Sequence, residues 1–358
     1  MNMFTVGLNH KTCPVEVREK FYLKLAEREL LLSQLKNDPC VIEAIVLSTC
    51  NRTEIYAHIL GENPRLLLDH LFKVKKIPFT SEFNKHFYTY YGEQAILHLF
   101  RVSTGLDSLI LGEKQILGQL KEAIDISRKI GMMGKQFNIL SNLAIEAGGK
   151  AQNETKIAYG GSSISWAAVR MAEKTLGSLR DKSVLIIGTG KMGYLAVNYL
   201  KKKKVNRIFI MNRTHDNAAA LASEFDCTAV SFLDIQEVLS SVDICICSAS
   251  APHYLIEKDL MERVMAKRGQ RKLLLIDISM PRNINPEVSS FREVSLVALD
   301  DLDKVVEDSV KARHGAVEEV EEIIHRKINE FYEKLSRIRR VEAAVSVNRL
   351  LSMSNINH

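Results

Sequence analysis

The sequence predicts a multidomain chain of mixed α/β and α+β class: an N-terminal α+β domain, a second domain on a parallel sheet, and a long C-terminal helix. Three observations predict it. Extended and helical patterns alternate without a fixed repeat up to residue 152; strand, glycine turn, helix and strand follow closely between residues 183 and 211; and apolar residues recur at three- and four-residue spacing from 302 to 341. A length of 358 residues agrees, because one ordinary core stops growing before that size.

Extended runs at 3–9, 41–47, 54–60 and 83–90 alternate with helical patterns at 19–35, 64–74 and 93–102, which predicts an antiparallel sheet backed by helices. Helical patterns continue over 114–129 and 136–152. Tyr159-Gly160-Gly161-Ser162-Ser163 then makes a polar joint and an N-cap for a helix ending at Leu176. The domain boundary is placed there, giving segments 1–161, 162–299 and 300–358.

Ser183-Val184-Leu185-Ile186-Ile187 reads as a strand running into Gly188-Thr189-Gly190-Lys191-Met192-Gly193, followed by a helix through Leu200 and a strand at 207–211. A glycine triplet alone is weak. Within a strand–turn–helix–strand unit of about 30 residues it is what a Rossmann-type dinucleotide site requires, because the glycines let a pyrophosphate approach the backbone and the helix N-terminus stabilises its charge. After the second strand, where an acid usually holds the ribose hydroxyls of NAD, the residues are Asn212-Arg213-Thr214. A cation there favours a 2′-phosphate, so the cofactor is read as NADPH; the plainer reading is an arginine facing solvent.

Runs at 243–247 and 273–278 read as buried parallel strands, making Cys245 and Cys247 core residues in differing environments rather than a metal pair. In the last segment, apolar positions 306, 310, 317, 320, 324, 328, 331, 335 and 338 predict a helix of roughly 50–60 Å. It could span both domains, pair with another chain, or pack on its own domain.

Composition narrows the function classes. Hydrophobic content of 46% and charged content of 26% belong to a globular protein. No apolar stretch approaches the roughly 18 residues of a membrane span, and the first ten residues lack a basic-then-apolar leader, so a cytoplasmic protein is expected. Six cysteines without metal-type CxxC pairs imply reduced thiols, and no metal site is expected. A net charge of +6 permits a polyanionic partner without demanding one. The lysines at 201–204 close a helix, where cations meet its negative end, and are read as a solvated face.

Ser48-Thr49-Cys50-Asn51-Arg52-Thr53-Glu54 stands directly after the apolar run at 41–47, so a lone cysteine sits where a buried strand ends. Scaffolds present nucleophiles at such positions, and Arg52 is the kind of neighbour that stabilises a thiolate. A free cysteine is also a common small core residue, and the residues alone leave both readings open.

With Gly7-Leu8-Asn9-His10-Lys11-Thr12 before it and Gly105-Leu106-Asp107-Ser108-Leu109-Ile110-Leu111-Gly112-Glu113-Lys114-Gln115-Ile116-Leu117-Gly118-Gln119 after it, this segment closely resembles the glutamyl-tRNA reductase family over roughly residues 3 to 340. The resemblance implies NADPH-dependent reduction of the glutamyl ester on tRNA to glutamate-1-semialdehyde, the entry to 5-aminolevulinate and tetrapyrroles. Cys50 would displace the RNA hydroxyl to give a thioester, which hydride then reduces.

The resemblance also implies a glutamyl pocket of Thr49, Asn51, Arg52, Ser108, Glu113, Lys114, Gln115 and Gln119, with Arg52 on the substrate carboxylate and Glu113 suited to its α-ammonium. Without it, Glu113 and Gln119 read as a capping residue and a helix-surface residue, and Arg52 keeps two jobs, thiolate stabilisation and recognition. His98, among Ala95, Ile96, Leu97, Leu99 and Phe100, reads alone as a satisfied core histidine. Its place before Phe100-Arg101-Val102 matches the family's functional histidine, implying proton transfer or ester positioning. His10 is read as structural, and Cys13 as no candidate nucleophile.

The family's long spinal helix is usually followed by a helical dimerisation domain; here the chain stops soon after Arg340, so a homodimer weakened by a shortened region is expected. Glutamate-1-semialdehyde aminomutase is a candidate recipient of the aldehyde. Two other readings compete: a shikimate-type NADP-dependent dehydrogenase, which shares the glycine turn followed by Asn-Arg-Thr, and a non-catalytic relative binding tRNA or haem.

Overall fold

The computed structural model describes residues 2–157, 163–302 and 314–354. Its first layer is a four-stranded antiparallel sheet of β1 (Met3–Asn9), β2 (Val41–Ser48), β3 (Arg52–Ile59) and β4 (Tyr88–Tyr91), in the order β2-β3-β1-β4. Around it lie α1 (Val15–Phe21), α2 (Leu25–Lys36), α3 (Arg65–Lys75), α4 (Ser81–Asn84), α5 (Glu93–Thr104), α6 (Lys114–Ile130) and α7 (Lys135–Glu154). Successive side chains leave a strand on opposite faces. Phe4, Val6, Ala44, Val46 and Ile55 therefore enter a core with Leu31, Leu32, Leu35, Leu67 and Leu71 of α2 and α3. Ile45, Leu47 and Tyr56 enter a second core with Leu99, Leu120, Phe137 and Leu140 of α5, α6 and α7. Covered on both faces, β2 carries an apolar run rather than alternation, whereas the edge strand β4 alternates half-buried and exposed residues.

The helix expected at 19–35 is broken. The Leu23 N–H donates to Ser48 Oγ at 2.9 Å, so it is lost to a helical ladder, and Tyr22 and Lys24 adopt extended backbone. The extended run expected at 83–90 begins as the short α4 and pairs only from Tyr88, because Phe83 and Phe87 turn inward onto Phe21 at ring distances of 5.5 and 5.0 Å. The polar joint at 159–162, and with it the expected boundary, lies outside the described residues, although Ser163 Oγ accepts from the Trp166 N–H at 3.2 Å and caps the next helix.

The second sheet is parallel throughout: β5 (Ser183–Ile187), β6 (Arg207–Met211), β7 (Thr228–Val230), β8 (Ile244–Cys247), β9 (Leu273–Asp277) and β10 (Val294–Val297), in the order β10-β9-β8-β5-β6-β7. That is the doubly wound nucleotide-binding order. Helices α8 (Ile164–Leu176) and α9 (Lys191–Lys202) pack with Val184, Ile186, Ile244 and Ile246. Following α10 (His215–Phe225), helices α11 (Ile235–Ser241) and α12 (Lys258–Arg268) cover Leu185, Ile187, Leu273 and Leu275. Cys245 and Cys247 are both fully buried in that second cluster. The expectation that their environments differ is corrected, since residues i and i+2 of a strand share a face.

The last helix, α13 (His314–Ser354), has 41 residues, about 62 Å of axis. The part of the pattern at 303–313 lies outside the described residues. Val320, Ile324, Ile328, Phe331 and Leu335 pack with Leu140, Leu143, Ala144 and Ala147 of α7, so this stripe covers the first layer. Lys327 Nζ pairs with Glu146 at 2.7 Å. Among the described residues no helix is long and apolar enough to cross a membrane.

Polar contacts join the two sheets' surroundings through α1. Arg282 reaches Glu16 and Glu19, each at 2.7 Å, and Arg18 pairs with Asp300, whose Oδ2 also accepts the Val15 N–H at 3.0 Å.

Candidate active site

Cys50 sits at the tip of the tight turn joining β2 to β3. The Thr49 N–H donates to the Arg52 carbonyl at 2.8 Å, the Asn51 N–H to Thr49 Oγ1 at 3.2 Å, and Ser48 Oγ meets Thr53 Oγ1 at 2.9 Å. These bonds leave the thiol over a cavity of about 230 Å³, smaller than the roughly 300–1,000 Å³ of drug-sized sites. The loop between α5 and α6 supplies Ser108 and Glu113, and the first turns of α6 supply Gln115 and Gln119. Gly112 lets this loop close: its φ is +73°, and a Cβ there would lie 2.2 Å from the Ile157 carbonyl oxygen.

Of the expected pocket residues, Thr49, Asn51, Arg52, Ser108, Glu113, Gln115 and Gln119 line this cavity together with Cys50. Lys114 does not: its side chain is exposed. His98 stands behind the wall, its Nε2 2.9 Å from Glu54 Oε1. Buried Asn51 Oδ1, Ser108 Oγ and Arg28 Nε belong to cavity-lining residues and have no hydrogen-bond partner among the described residues.

Arg52 is fully buried, and its guanidinium is already engaged. Nη1 donates to Glu54 Oε1 at 2.8 Å and to Asp107 Oδ2 at 3.0 Å, and Nη2 donates to the Asp107 carbonyl. Glu54 also accepts from the hydroxyls of Tyr56 and Tyr88. Burial alone would raise the Glu54 carboxyl, but Arg52 and His98 outweigh it and hold it far below the usual range.

Burial pushes the Cys50 thiol up to about 12, with the Glu113 carboxylate adding to the rise and Arg18 and Arg52 opposing it. Arg52 opposes this rise only in part, its guanidinium being engaged by Glu54 and Asp107. Glu113, desolvated against the weaker pull of Arg52 and Lys191, rises to about 7. His10, lowered to about 3 by burial and Arg52, is held neutral.

A second cavity of about 860 Å³ opens at the carboxyl ends of β5 and β6, lined by Gly188, Thr189, Gly190, Asn212, Arg213 and Thr214. It fits a dinucleotide on structural grounds. A Cβ on Gly190 would meet open space, whereas one on Gly193 would lie 2.0 Å from the Gly188 carbonyl oxygen, so Gly193 provides close helix–strand approach. Arg213 is exposed and makes no ion pair among the described residues, leaving its fork for a phosphate. Lys191 and Met192 do not line this cavity. Met192 faces the Cys50 cavity instead, where Gln115 Nε2 donates to its sulfur at 3.3 Å.

Ser248, Ala249 and Ser250 line both cavities, so the two adjoin. Sequence reasoning missed these residues, and also Tyr22, Arg28, Ile278, Ser279 and Met280 on the thiol side. The available signal was topological: ligands of such sheets bind beyond the carboxyl ends of the strands, here β8 and β9. Asp277, at the end of β9, accepts the N–H groups of Ser279, Asn283 and Ile284 and fixes that loop.

A dinucleotide-type cavity opening beside a half-buried thiol defines the class: a nucleotide-dependent oxidoreductase. A family model described as "Glutamyl-tRNAGlu reductase, N-terminal domain" matches residues 6–155, and one described as "Shikimate / quinate 5-dehydrogenase" matches residues 170–305. Glutamyl-tRNA reductase of Oceanobacillus iheyensis is 38% identical over 343 residues, covering 94% of this chain and 74% of that protein. That of Aquifex aeolicus is 37% identical, covering 93% and 82%. The solved glutamyl-tRNA reductase of Methanopyrus kandleri is 31% identical, covers 95% of this chain and 82% of that one, and superimposes with a TM-score of 0.54. The chain belongs to the glutamyl-tRNA reductase family. Its shikimate-type likeness is confined to the nucleotide-binding part, which removes the shikimate-type dehydrogenase reading.

Proposed function

We propose that this protein reduces the glutamyl ester of tRNA to glutamate-1-semialdehyde with NADPH, through a thioester on Cys50, as the opening step of tetrapyrrole synthesis. The observation that carries the reading is the pair of adjoining cavities, one floored by Cys50 and the other by the glycine turn, with 248–250 as common wall. Bound in the second cavity, reduced nicotinamide supplies hydride.

The chain's own groups set up the transfer. Cys50 rests as a thiol, so its attack on the ester carbonyl needs a proton acceptor. Glu113 lines the same cavity, accepts no hydrogen bond among the described residues, and titrates near neutrality. It takes the thiol proton as sulfur bonds to carbon, then returns it to the departing ribose oxygen. Unpaired Asn51 Oδ1 and Ser108 Oγ are acceptors for the substrate ammonium, with Thr49, Gln115 and Gln119 completing the wall. Arg52 reads the glutamyl carboxylate from a position fixed by Glu54 and Asp107. His98 holds Glu54 and acts as a positioning residue.

Gly188, Thr189, Gly190, Gly193, Asn212, Arg213 and Thr214 serve the cofactor, with Arg213 on the 2′-phosphate. Segment 1–161 is the catalytic and glutamyl-tRNA-binding part, 162–299 the NADPH-binding part, and 300–358 the long helix and dimerisation region. Action in the cytoplasm, a homodimeric state and hand-over to glutamate-1-semialdehyde aminomutase belong to the same reading and rest on family membership. The test supplies NADPH with either glutamyl-tRNA or free glutamate. Aldehyde forms only from the former, Cys50→Ser forms none, and quenched wild-type protein carries a glutamyl adduct on Cys50; equal activity with free glutamate sinks the proposal.

A further inference from the structure

Building on that reductase reading, we propose that Arg28 forms a phosphate subsite at the mouth of the Cys50 cavity, taking a phosphodiester of the terminal nucleotide of the acylated RNA. The observation is an imbalance among the arginines that approach the thiol. Arg52 is held by Glu54 and Asp107 at the end given to the glutamyl carboxylate. Arg18 is spent on the carbonyls of Cys13 and Cys50, at 2.9 and 3.3 Å, and on Asp300. Arg28 lines the cavity from α2, yet its buried Nε has no hydrogen-bond partner among the described residues and its Nη2 meets Glu122 at 2.7 Å.

The Glu122 side chain is 56% exposed, whereas that of Arg28 is 12% exposed. A pair whose acid is solvated contributes little and yields readily to a second anion. A buried guanidinium donor without an acceptor is costly, and folded chains keep such donors paired. A ligand oxyanion supplies the missing partner, and the arginine fork matches phosphate geometry where lysine would not.

Phosphate is favoured over the glutamyl carboxylate by position. Arg28 is partnered toward solvent, where the RNA body must remain, while the free acceptors Asn51 Oδ1 and Ser108 Oγ mark the buried end that takes the amino acid. Tyr22, Arg28 and Cys50 line the same cavity, so the subsite and the sulfur share one space.

The experiment follows single-turnover acylation of Cys50 by intact-mass spectrometry in wild type, Arg28→Gln and Arg28→Lys. Two substrates are used: glutamyl-tRNA and a phosphate-free glutamyl thioester of a small thiol. Arg28→Gln is expected to lower the second-order rate with glutamyl-tRNA by about 10-fold or more relative to the thioester, with Arg28→Lys intermediate. The salt dependence with glutamyl-tRNA should lose about one unit of slope. Alkylation of Cys50 by iodoacetamide at the wild-type rate shows that each variant keeps its hairpin. Equal slowing with both substrates assigns Arg28 to the glutamyl carboxylate and overturns the phosphate subsite, as does no slowing with either. Wild-type protein acylated by neither substrate would instead sink the reductase reading.

Discussion

Arg52 and Glu54, two residues apart on β3, form an ion pair of 2.8 Å with side chains 1% and 0% exposed, beside the Cys50 cavity. Removing one member of such a pair leaves the other charge buried and uncompensated. Glu54→Ala is expected to cost about 3–5 kcal/mol of stability, measured by denaturant unfolding. The low carboxyl pKa gives the sign with pH: the contribution is present above the ordinary glutamate value and is lost only in strong acid.

On the proposed reading His98 acts through that pair. His98→Ala should lower acylation of Cys50, whereas His98→Gln, which can still donate to Glu54, should recover most of it with the wild-type pH profile. A profile changed in His98→Gln would show direct proton transfer instead.

On the proposed reading Glu113 carries the pH dependence. Its carboxyl rises from the ordinary 4.5 to about 7, so the acceptor is lost as pH falls below about 7 and wild-type acylation slows there. Glu113→Gln should remove this fall and lower the rate about 10²–10⁴-fold. The stability sign is opposite. The neutral carboxyl's contribution is complete below about 4.5 and lost as pH rises through about 7, so Glu113→Gln should be more stable at pH 8 by about 3 kcal/mol and equal near pH 4.

The nucleotide cavity is testable separately. Arg213→Ala should raise the KM for NADPH about 10- to 100-fold and leave that for NADH unchanged. In Gly193→Ala the added Cβ would meet the Gly188 carbonyl oxygen at 2.0 Å, so NADPH binding should be lost while Cys50 still accepts the glutamyl group. Fluorescence titration with NADPH and mass spectrometry of the adduct separate the two effects.

Phe331, fully buried on α13, anchors the long helix against the first layer. Phe331→Ala should cost about 3–5 kcal/mol, read from thermal or denaturant unfolding.

Much of this was legible because local chemistry coincided with local structure. The glycine turn from Gly188 to Gly193 needs no distant partner to be recognised, and Cys50 follows a strand whose apolar run is visible by itself. What escaped depends on other segments. The break at Tyr22 and Leu23 is set by Ser48, 25 residues away. The engagement of Arg52 depends on Asp107, at a separation of 55 residues. Arg28 and Met280 line the cavity only because α2 and the loop after β9 fold over it, and neither carries a local signature.

Arg18 holds the Cys50 carbonyl with its Nε and the Asp300 carboxylate with its Nη atoms. A hinge opening at that seam would therefore strip an anchor from the sulfur-bearing turn, tying the aim of the Cys50 thiol to the contact between α1 and Asp300.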